Sequence, residues 1–289
     1  MLVVFFTAIT IVNAQISEQE KQTLLDIYHE MNGENWKQPW NLEENEAGWH
    51  GIQVKEGKVV EINLFNNNLV GIIPESIGKL KNLTHLNLAF NSISGELPEQ
   101  LVHLSALRVL KIEMNRIKGV LPDSIGQLKS LEEFSAFNNF LTGHIPEDFG
   151  KLENLKVLNL SSNNLKGQIP DSLGSLSKLE SLGLFENSLE GTIPSEMGKL
   201  SNLRELVLAN NRLGGAIPVE IGQLASLRVL QIQNNRFDSF KGLKLINVKG
   251  LLAFDHDAGA DFEFDFDNLN KNKTRMADTK FEDDDDIDD

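Results

Sequence analysis

The chain has 289 residues and carries 42 acidic against 27 basic side chains, which gives a formal net charge of −15 at pH 7. It contains no cysteine, so disulfides, thiolate metal sites and cysteine nucleophiles are excluded. The acidic balance also argues against a nucleic-acid partner, because proteins that bind nucleic acid present basic patches to the phosphates.

Residues 1–14 are predicted to be a secretory signal peptide. Leu2 to Val12 are almost all apolar, and small residues up to Ala14 mark a cleavage site that would leave Gln15 as the first residue. The apolar run is well below the ~18 residues that a membrane-spanning helix needs, and no other stretch reaches that length. The sequence therefore predicts a secreted, extracellular or cell-surface protein without a membrane span.

The next segment, residues 15–58, is predicted to be an N-terminal cap. Ser17 and Glu20 form a capping-box pattern, and apolar residues then recur at helical spacing until Asn32-Gly33. We expect the tryptophans that follow to plug the open end of the core beneath a short hairpin, with a tryptophan-lined ligand pocket as the alternative. All the tryptophans of the chain lie here: Trp36, Trp40 and Trp49.

A unit of 24 residues repeats eight times from Val59 onward. The second copy has the form Leu83-x-x-Leu86-x-Leu88-x-x-Asn91-x-Ile93-x-Gly95-x-Leu97-Pro98. The alternation of apolar residues at its start predicts a strand with one buried face. Such a unit cannot bury its apolar side alone and must stack on a neighbour, so the repetition indicates a solenoid.

Three positions of the unit have structural reasons. The asparagine in the ninth position can both donate to and accept from main-chain groups where the chain leaves the strand. The glycine four residues later indicates a tight bend or a positive φ, and the proline after it predicts extended backbone. The asparagines are Asn67, Asn91, Asn115, Asn139, Asn163, Asn187, Asn211 and Asn235.

The form LxxLxLxxNxLxGxIPxxLGxL resembles the leucine-rich repeat of plant receptor-like kinase ectodomains and polygalacturonase-inhibiting proteins. The resemblance covers about residues 17–247. It implies an α/β repeat fold, a right-handed superhelix (solenoid) with a parallel β-sheet on the concave face, and a binding role. Ala47 and Val54 replace the two cysteines of the family's cap motif, so the chain looks more like the cysteine-free secreted versions found in bacteria.

Beyond Asn235 the repeat decays. His256 stands where an inward leucine belongs, and residues 255–289 carry 14 acidic and 4 basic side chains. Phe262, Phe264 and Phe266 alternate with acidic residues, which favours an edge strand, whereas the composition that follows favours disorder. The predicted organisation is a signal peptide (1–14), an N-terminal cap (15–58), eight coils of which the last is degenerate (59–250), a C-terminal cap strand (251–267) and an acidic tail (268–289).

The outward residues of the predicted strands form the candidate binding surface. Large apolar side chains there are informative, because the family often has small or polar residues at these positions. Four come from consecutive coils and are expected to form an apolar stripe, unless some of them tuck sideways against the next coil. The stripe is Phe65, Phe90, Met114 and Phe137, with Phe185 farther along, and the polar rim is Glu61, Asn63, His85, Asn87, Lys111, Glu113 and Glu133.

We predict an extracellular scaffold that binds a protein or peptide on its concave face. The alternative is a carbohydrate-binding or cell-surface protein, or an inhibitor of a secreted polysaccharide-degrading enzyme, although the face lacks Trp and Tyr. No HExxH or GxSxG motif is present, so neither an enzyme activity nor a cofactor is predicted. The acidic run from Asp255 to Glu263 lacks the glycine and glutamate spacing of a calcium loop, and no metal site is predicted.

Overall fold

The computed structural model describes residues 15–246 and 250–257. The predicted signal peptide, the acidic tail of residues 268–289 and residues 258–267 of the predicted cap strand lie outside these described ranges.

The described chain begins with a cap built on one α-helix, Glu18–Glu30. Its capping box is formed: the Ser17 hydroxyl accepts from the Glu20 amide at 3.3 Å, and the Ser17 amide donates to Glu20 Oε2 at 3.2 Å. Two short 3-10 helices follow, Gly33–Asn35 and Glu46–Gly48. They lead into an antiparallel hairpin of two strands, Ile52–Lys55 and Lys58–Asn63.

The three tryptophans fill the end of the core. Trp36, Trp40 and Trp49 are each at most 4% exposed, and the rings of Trp40 and Trp49 stack with centroids 4.7 Å apart. Each indole N–H donates to a main-chain carbonyl, at 2.8–2.9 Å. Large aromatic area is thereby buried without an unpaired polar group, as the plug interpretation expects and the pocket interpretation does not.

A ten-stranded sheet runs along the solenoid. After the antiparallel first strand, every neighbouring pair is parallel and in register, so that Leu86 lies beside Leu110 and Leu110 beside Phe134. Each coil therefore repeats the previous one without slippage, and the α/β solenoid with a parallel sheet is confirmed. The strands are Ile52–Lys55, Lys58–Asn63, His85–Asn87, Val109–Lys111, Glu133–Ser135, Val157–Asn159, Ser181–Gly183, Glu205–Val207, Val229–Gln231 and Ala253–Asp255.

A second set of short strands follows the repeated asparagines, and the outward residues of these strands form what we name the lateral face. The strands pair in parallel between successive coils. They are Val70–Gly71, Ser92–Ile93, Lys118–Val120, Phe140–Thr142, Lys166–Gly167, Ser188–Gly191, Arg212–Ala216 and Arg236–Ser239.

A 3-10 helix completes each coil on the side opposite the main sheet. In seven coils a proline with extended backbone directly precedes it, as with Pro146 at φ −62° and ψ 138°. The helices are Glu75–Lys79, Glu99–His103, Asp123–Gln127, Glu147–Lys151, Asp171–Ser175, Ser195–Lys199, Val219–Gln223 and Lys241–Leu245.

The glycine of the repeat has a positive φ in all seven coils that carry it, as predicted. Gly143 shows a second reason for the residue. At φ +79°, a Cβ on Gly143 would lie 2.8 Å from Cγ1 of Val120 in the preceding coil. Both the backbone conformation and the close approach of the neighbouring coil therefore favour glycine here.

The repeated asparagines hold successive coils together. Asn139 is 5% exposed, and its Oδ1 accepts from the Ile117 amide of the preceding coil at 3.0 Å. Its Nδ2 donates to the Ile112 carbonyl at 3.0 Å and to the Ala136 carbonyl of its own coil at 3.2 Å. One side chain thus satisfies main-chain groups on two coils where the strand hydrogen bonds stop.

Candidate ligand-binding face

The solvent-facing side of the ten-stranded sheet, the concave face, has a special backbone position in each coil. The residue before the repeated asparagine has φ between +48° and +58° in all eight coils. Asparagine tolerates this left-handed conformation better than other side chains, whereas a bulky residue there is strained. The eight residues are Asn66, Phe90, Met114, Asn138, Ser162, Glu186, Asn210 and Asn234.

Two phenylalanines form an exposed aromatic pair near the N-terminal end of this face. Phe65 is 49% and Phe90 is 42% exposed, and their ring centroids are 5.2 Å apart with the planes tilted by 59°. They reach each other from different repeat positions, because Phe65 stands two residues before its asparagine and Phe90 one residue before its own. Phe90 is thus held in the left-handed conformation, at φ +58°.

The other predicted apolar residues are less exposed. Met114 and Phe137 are half-buried, and Met114 Sδ accepts from Asn138 Nδ2 of the next coil at 2.8 Å. Phe185 is also half-buried and lies two coils beyond Phe137. The structure therefore places all five residues on one face and brings Phe65 and Phe90 into contact, while Met114 packs sideways against its neighbour.

The polar side chains around this group are held by local bonds. Lys111 Nζ lies 2.9 Å from Glu133 Oε1 in the next coil. Asn63 Oδ1 and Asn87 Oδ1 accept from amides two residues along their own strands, at 3.4 and 3.1 Å. His85 Nδ1 is 2.8 Å from the Thr84 hydroxyl. These contacts fix the side chains before any ligand arrives, which lowers the entropy lost on binding.

Glu113 is not the exposed rim residue that the alternation predicts. It is only 8% exposed, and its Oε2 has no hydrogen-bond partner among the described residues. The repeat position alone does not explain this, since Phe65 occupies the same position in coil 1 and is 49% exposed. The burial comes from the neighbours in coils 3 and 4, where the Ser135 hydroxyl is close enough to hydrogen-bond to the Glu113 carboxyl.

The environment of Glu113 changes its acidity. Burial raises the pKa of its carboxyl above the ordinary value, and the neighbouring Glu133 carboxylate adds to the rise. Hydrogen bonding to Ser135 and the charge of Lys111 oppose it. The first effect prevails because the charged form of a carboxyl loses most on leaving water.

The cap and the first coils enclose a concavity of about 590 Å³. Phe65 and Ile52 line it with apolar groups, and amide, imidazole and carboxylate groups provide most of the remaining lining. The pattern of the repeats contained no sign of the residues that the cap supplies, because the cap does not follow the repeat. The lining residues are Gln38, His50, Gly51, Ile52, Gln53, Glu61, Asn63, Phe65 and Asn87.

The C-terminal half of the concave face is acidic. Glu186 and Glu205 accept hydrogen bonds at 2.9 Å from serine hydroxyls of the preceding coils, and Asp255 accepts from Gln231 Nε2 at 3.0 Å. In the eight short parallel strands from His85–Asn87 to Ala253–Asp255, Lys111 is the only lysine or arginine. Its charge is already opposed by Glu133. This part of the face is therefore net negative.

No group of three or more histidine and acidic side chains in residues 15–246 and 250–257 could hold a metal ion. Over those residues, no helix is both long and apolar enough to cross a membrane.

Comparison with known proteins shows the family of the repeats. A family model described as a leucine-rich repeat region matches residues 63–192 and 137–248. A search of curated proteins gave no match.

Several solved structures are similar. The ectodomain of the plant membrane receptor kinase GASSHO1/SCHENGEN3 from Arabidopsis thaliana, in complex with CASPARIAN STRIP INTEGRITY FACTOR 2, is 33% identical over 81% of this chain, with a TM-score of 0.75. The Arabidopsis receptor kinase HAESA, in complex with the peptide hormone IDA and the co-receptor SERK1, is 26% identical over 83%, with a TM-score of 0.68. A leucine-rich repeat protein of Leptospira interrogans is 35% identical over 68%, with a TM-score of 0.57.

This chain spans 29%, 46% and 48% of the lengths of those three structures. The similarity thus concerns the repeat array and not the whole of each relative. The repeated asparagine, the positive-φ glycine and the parallel sheet agree with the family match over residues 63–248. The chain belongs to the leucine-rich repeat proteins, and its repeats are of the kind found in plant receptor kinase ectodomains.

Proposed function

We propose that the protein is a binding scaffold without enzymatic activity, and that a protein or peptide ligand docks on its concave face. The observation that carries this proposal is the Phe65–Phe90 pair, which exposes two large aromatic side chains side by side on the concave face. Interfaces concentrate their energy in such central aromatic groups, with polar residues around them. The receptor kinase HAESA, with the same repeat architecture, was solved with a peptide hormone, which supports a ligand of that class.

The backbone at Phe90 and Met114 gives independent support. Both occupy the left-handed position that asparagine fills in coils 1, 4, 7 and 8. A non-glycine residue in that conformation costs roughly 1–2 kcal/mol, and asparagine costs less. Large apolar residues at a strained and solvent-facing position favour a role in binding, because folding alone would be better served by asparagine.

The charge of the face restricts the ligand. Lys111 is paired, and Glu186, Glu205 and Asp255 lie toward the C-terminal end without a lysine or arginine on the neighbouring strands of the main sheet. An acidic ligand would be repelled along this half. We therefore expect the ligand to be neutral or basic, with apolar anchors for coils 1–4. Its binding should weaken as salt concentration rises.

Selection from a random peptide library against the immobilised protein would test the proposal even while the natural partner is unidentified. We expect selected peptides to combine aromatic or aliphatic residues with lysine or arginine. Phe90→Asn should weaken their binding by about tenfold or more, which corresponds to ~1.4 kcal/mol. Because asparagine suits the backbone at this position, the free energy of unfolding should change by less than ~1 kcal/mol.

Phe137→Ala serves as a second concave variant, and Phe140→Ala as the matched control. Phe140 is 55% exposed but lies on the lateral face. Peptides that bind the concave face should lose affinity with Phe137→Ala and keep it with Phe140→Ala. Equal binding to Phe90→Asn, Phe137→Ala and the unchanged protein would reject the assignment of this face.

A carbohydrate ligand is the second candidate, and the N-terminal concavity favours it. An aromatic ring, Phe65, stands there beside the carboxylate of Glu61 and the amides of Gln53, Asn63 and Asn87. Sugars are bound by such combinations of an aromatic platform and amide or acidic groups. Binding to an oligosaccharide array distinguishes the two candidates. If Gln53→Ala abolishes oligosaccharide binding and Phe90→Asn leaves it intact, a sugar at the concavity is favoured over a peptide along the sheet.

A further inference from the structure

The lateral face carries a second exposed apolar group, which differs in its surroundings from the Phe65–Phe90 pair. Val120 is 57% and Phe140 is 55% exposed, and both lie on paired parallel strands. Lys118 is in register beside Phe140, and Val120 is in register beside Thr142, so the four side chains form a compact block on one surface. The lateral platform is our name for this block together with two exposed cations, Arg116, two residues before Lys118, and Lys166, whose amide donates to the Gly143 carbonyl at 2.8 Å.

The platform is basic in a strongly acidic protein. Arg116, Lys118 and Lys166 are exposed, and within the described part of the chain none of the three makes an ion pair. Two acids lie nearby: Glu96, whose backbone bridges to Lys118, and Asp123, whose Oδ1 is 3.4 Å from Nε2 of His144. By contrast, the cations at the start of the main strands are paired. Glu132 lies 2.5 Å from Arg108 in the preceding coil and 2.8 Å from Lys156 in the next coil. The cations of the platform are therefore available to an acidic partner.

We infer that the lateral platform binds the acidic segment of residues 278–289 of the same chain. This segment has eight acidic residues, one lysine and two large apolar residues, Phe281 and Ile287. Its carboxylates complement the three cations of the platform, and its apolar residues suit Val120 and Phe140. The concave face is excluded as the acceptor because its own acidic residues repel the segment.

The length of the chain permits this contact within one molecule. From Asp257, the last described residue, to Phe281 there are 24 residues, which span up to ~80 Å at ~3.3 Å per residue. The strand of Ala253–Asp255 lies five strands along the sheet from Glu133–Ser135 in coil 4, or ~24 Å at ~4.8 Å per strand. The connection is long enough to reach around the solenoid, and tethering raises the local concentration of the segment to the millimolar range.

Carbodiimide cross-linking of the full chain, followed by mass spectrometry, tests the inference. Lys118 and Lys166 should be joined to carboxylates within residues 278–289. In a mixture of ¹⁴N- and ¹⁵N-labelled protein these cross-links should lie within single molecules. Their yield should fall as the salt concentration is raised from about 50 to 500 mM, because exposed charges are screened.

Two variants that keep both reporter lysines make the test specific. Arg116→Glu combined with Phe140→Ser should reduce the cross-link yield by at least about fivefold. Arg212→Glu changes the charge at the same repeat position four coils farther along and should leave the yield within about twofold. When Asp283, Asp284, Asp285 and Asp286 are replaced by asparagine, the cross-links to the remaining carboxylates of Asp278, Glu282, Asp288 and Asp289 should fall as much as in the first variant, without a change in the solenoid.

Cross-links that join differently labelled molecules would show that a second copy is the occupant and overturn the assignment to the same chain. Cross-links spread equally over exposed lysines elsewhere, such as Lys55 and Lys79, would show that the platform has no preference and would also overturn it. An Arg212→Glu loss as large as that of the platform variant would contradict the location.

Discussion

Asn139 in the central part of the solenoid allows the strength of the asparagine ladder to be worked out. In Asn139→Ala the Ile117 amide loses the side-chain oxygen that it donates to at 3.0 Å. The carbonyls of Ile112 and Ala136 are less affected. Each keeps the amide of another asparagine of the ladder: Asn115 Nδ2 lies 3.1 Å from the Ile112 oxygen, and Asn163 Nδ2 lies 3.0 Å from the Ala136 oxygen.

The expected loss follows from this difference. One buried amide is left unpaired, which costs roughly 1–3 kcal/mol, and the shared carbonyls add little because they remain bonded. We therefore expect the free energy of unfolding to fall by ~1–3 kcal/mol, measured by urea denaturation followed by circular dichroism. Asn139→Asp keeps the acceptor but buries a charge and removes the donor, and should be at least as destabilising.

Asn164→Ala is the matched control for this experiment. Asn164 lies on the next coil and is exposed, and its recorded hydrogen bond is that of its main-chain amide to the Leu141 carbonyl at 2.8 Å. Its replacement should change the free energy of unfolding by less than ~0.5 kcal/mol. A loss below ~0.5 kcal/mol for Asn139→Ala, or an equal loss for the two variants, would refute the view that the ladder carries stability through buried main-chain groups.

Two further predictions concern other parts of the molecule. Burial raises the pKa of the Glu113 carboxyl, so the folded state binds a proton at this site more tightly than the unfolded state. The contribution of this carboxyl to the free energy of unfolding therefore falls as the pH rises from the pKa in the unfolded state through the higher pKa in the folded state. Glu113→Gln should remove that decrease, so the variant should be at least as stable as the unchanged protein at pH 7 and should lose this advantage below about pH 4. If the free energy of unfolding depends on pH in the same way for both proteins, the burial of the Glu113 carboxyl is contradicted. Expression of the complete sequence in a secreting bacterial host should release protein whose N-terminal sequence begins at Gln15, and cell-retained protein that still begins at Met1 would reject the signal-peptide prediction.

The repeat positions could be predicted from the sequence because their causes are local and recur. Asn91, Gly95 and Pro98 each answer a demand of the backbone at one point of the coil, and the demand returns every 24 residues. Register then follows from the inward leucines, since a slip of one residue would turn them outward. For this reason the family resemblance, the sheet and the positive φ at the glycines were all within reach of sequence reasoning.

Other features depend on neighbours that differ from coil to coil. Glu113 alternates as an outward residue, but its burial depends on its own neighbours and not on the repeat position, since Phe65 at the same position of coil 1 is 49% exposed. The concavity beside Phe65 needs His50 and Gln53 from the cap, which has no repeat to be read against. The alternation of inward and outward residues along a strand predicts neither the burial of Glu113 nor this concavity.

The lateral platform could not be predicted for a related reason. The residues after the repeated asparagine differ from coil to coil. Which of them lie side by side is decided by the short strands, which pair with an offset of two residues between neighbouring coils. Thus Lys118 is paired with Phe140, 22 residues later, and not with the residue 24 later. Only this offset places Lys118 and Phe140 side by side.

The left-handed position before each repeated asparagine links folding to function in this protein. Because the backbone conformation there is imposed by the coil, with φ between +48° and +58° throughout, the side chain is free to vary only at a cost in strain. Asn66, Asn138 and Asn210 show the residue that the backbone prefers. Phe90 and Met114 depart from it in two adjacent coils, and Phe90 is the one that meets the exposed ring of Phe65. A departure that costs stability and adds exposed apolar surface at Phe90 supports the proposed ligand-binding role, and it supports a binding centre at coils 1–3 independently of any relative.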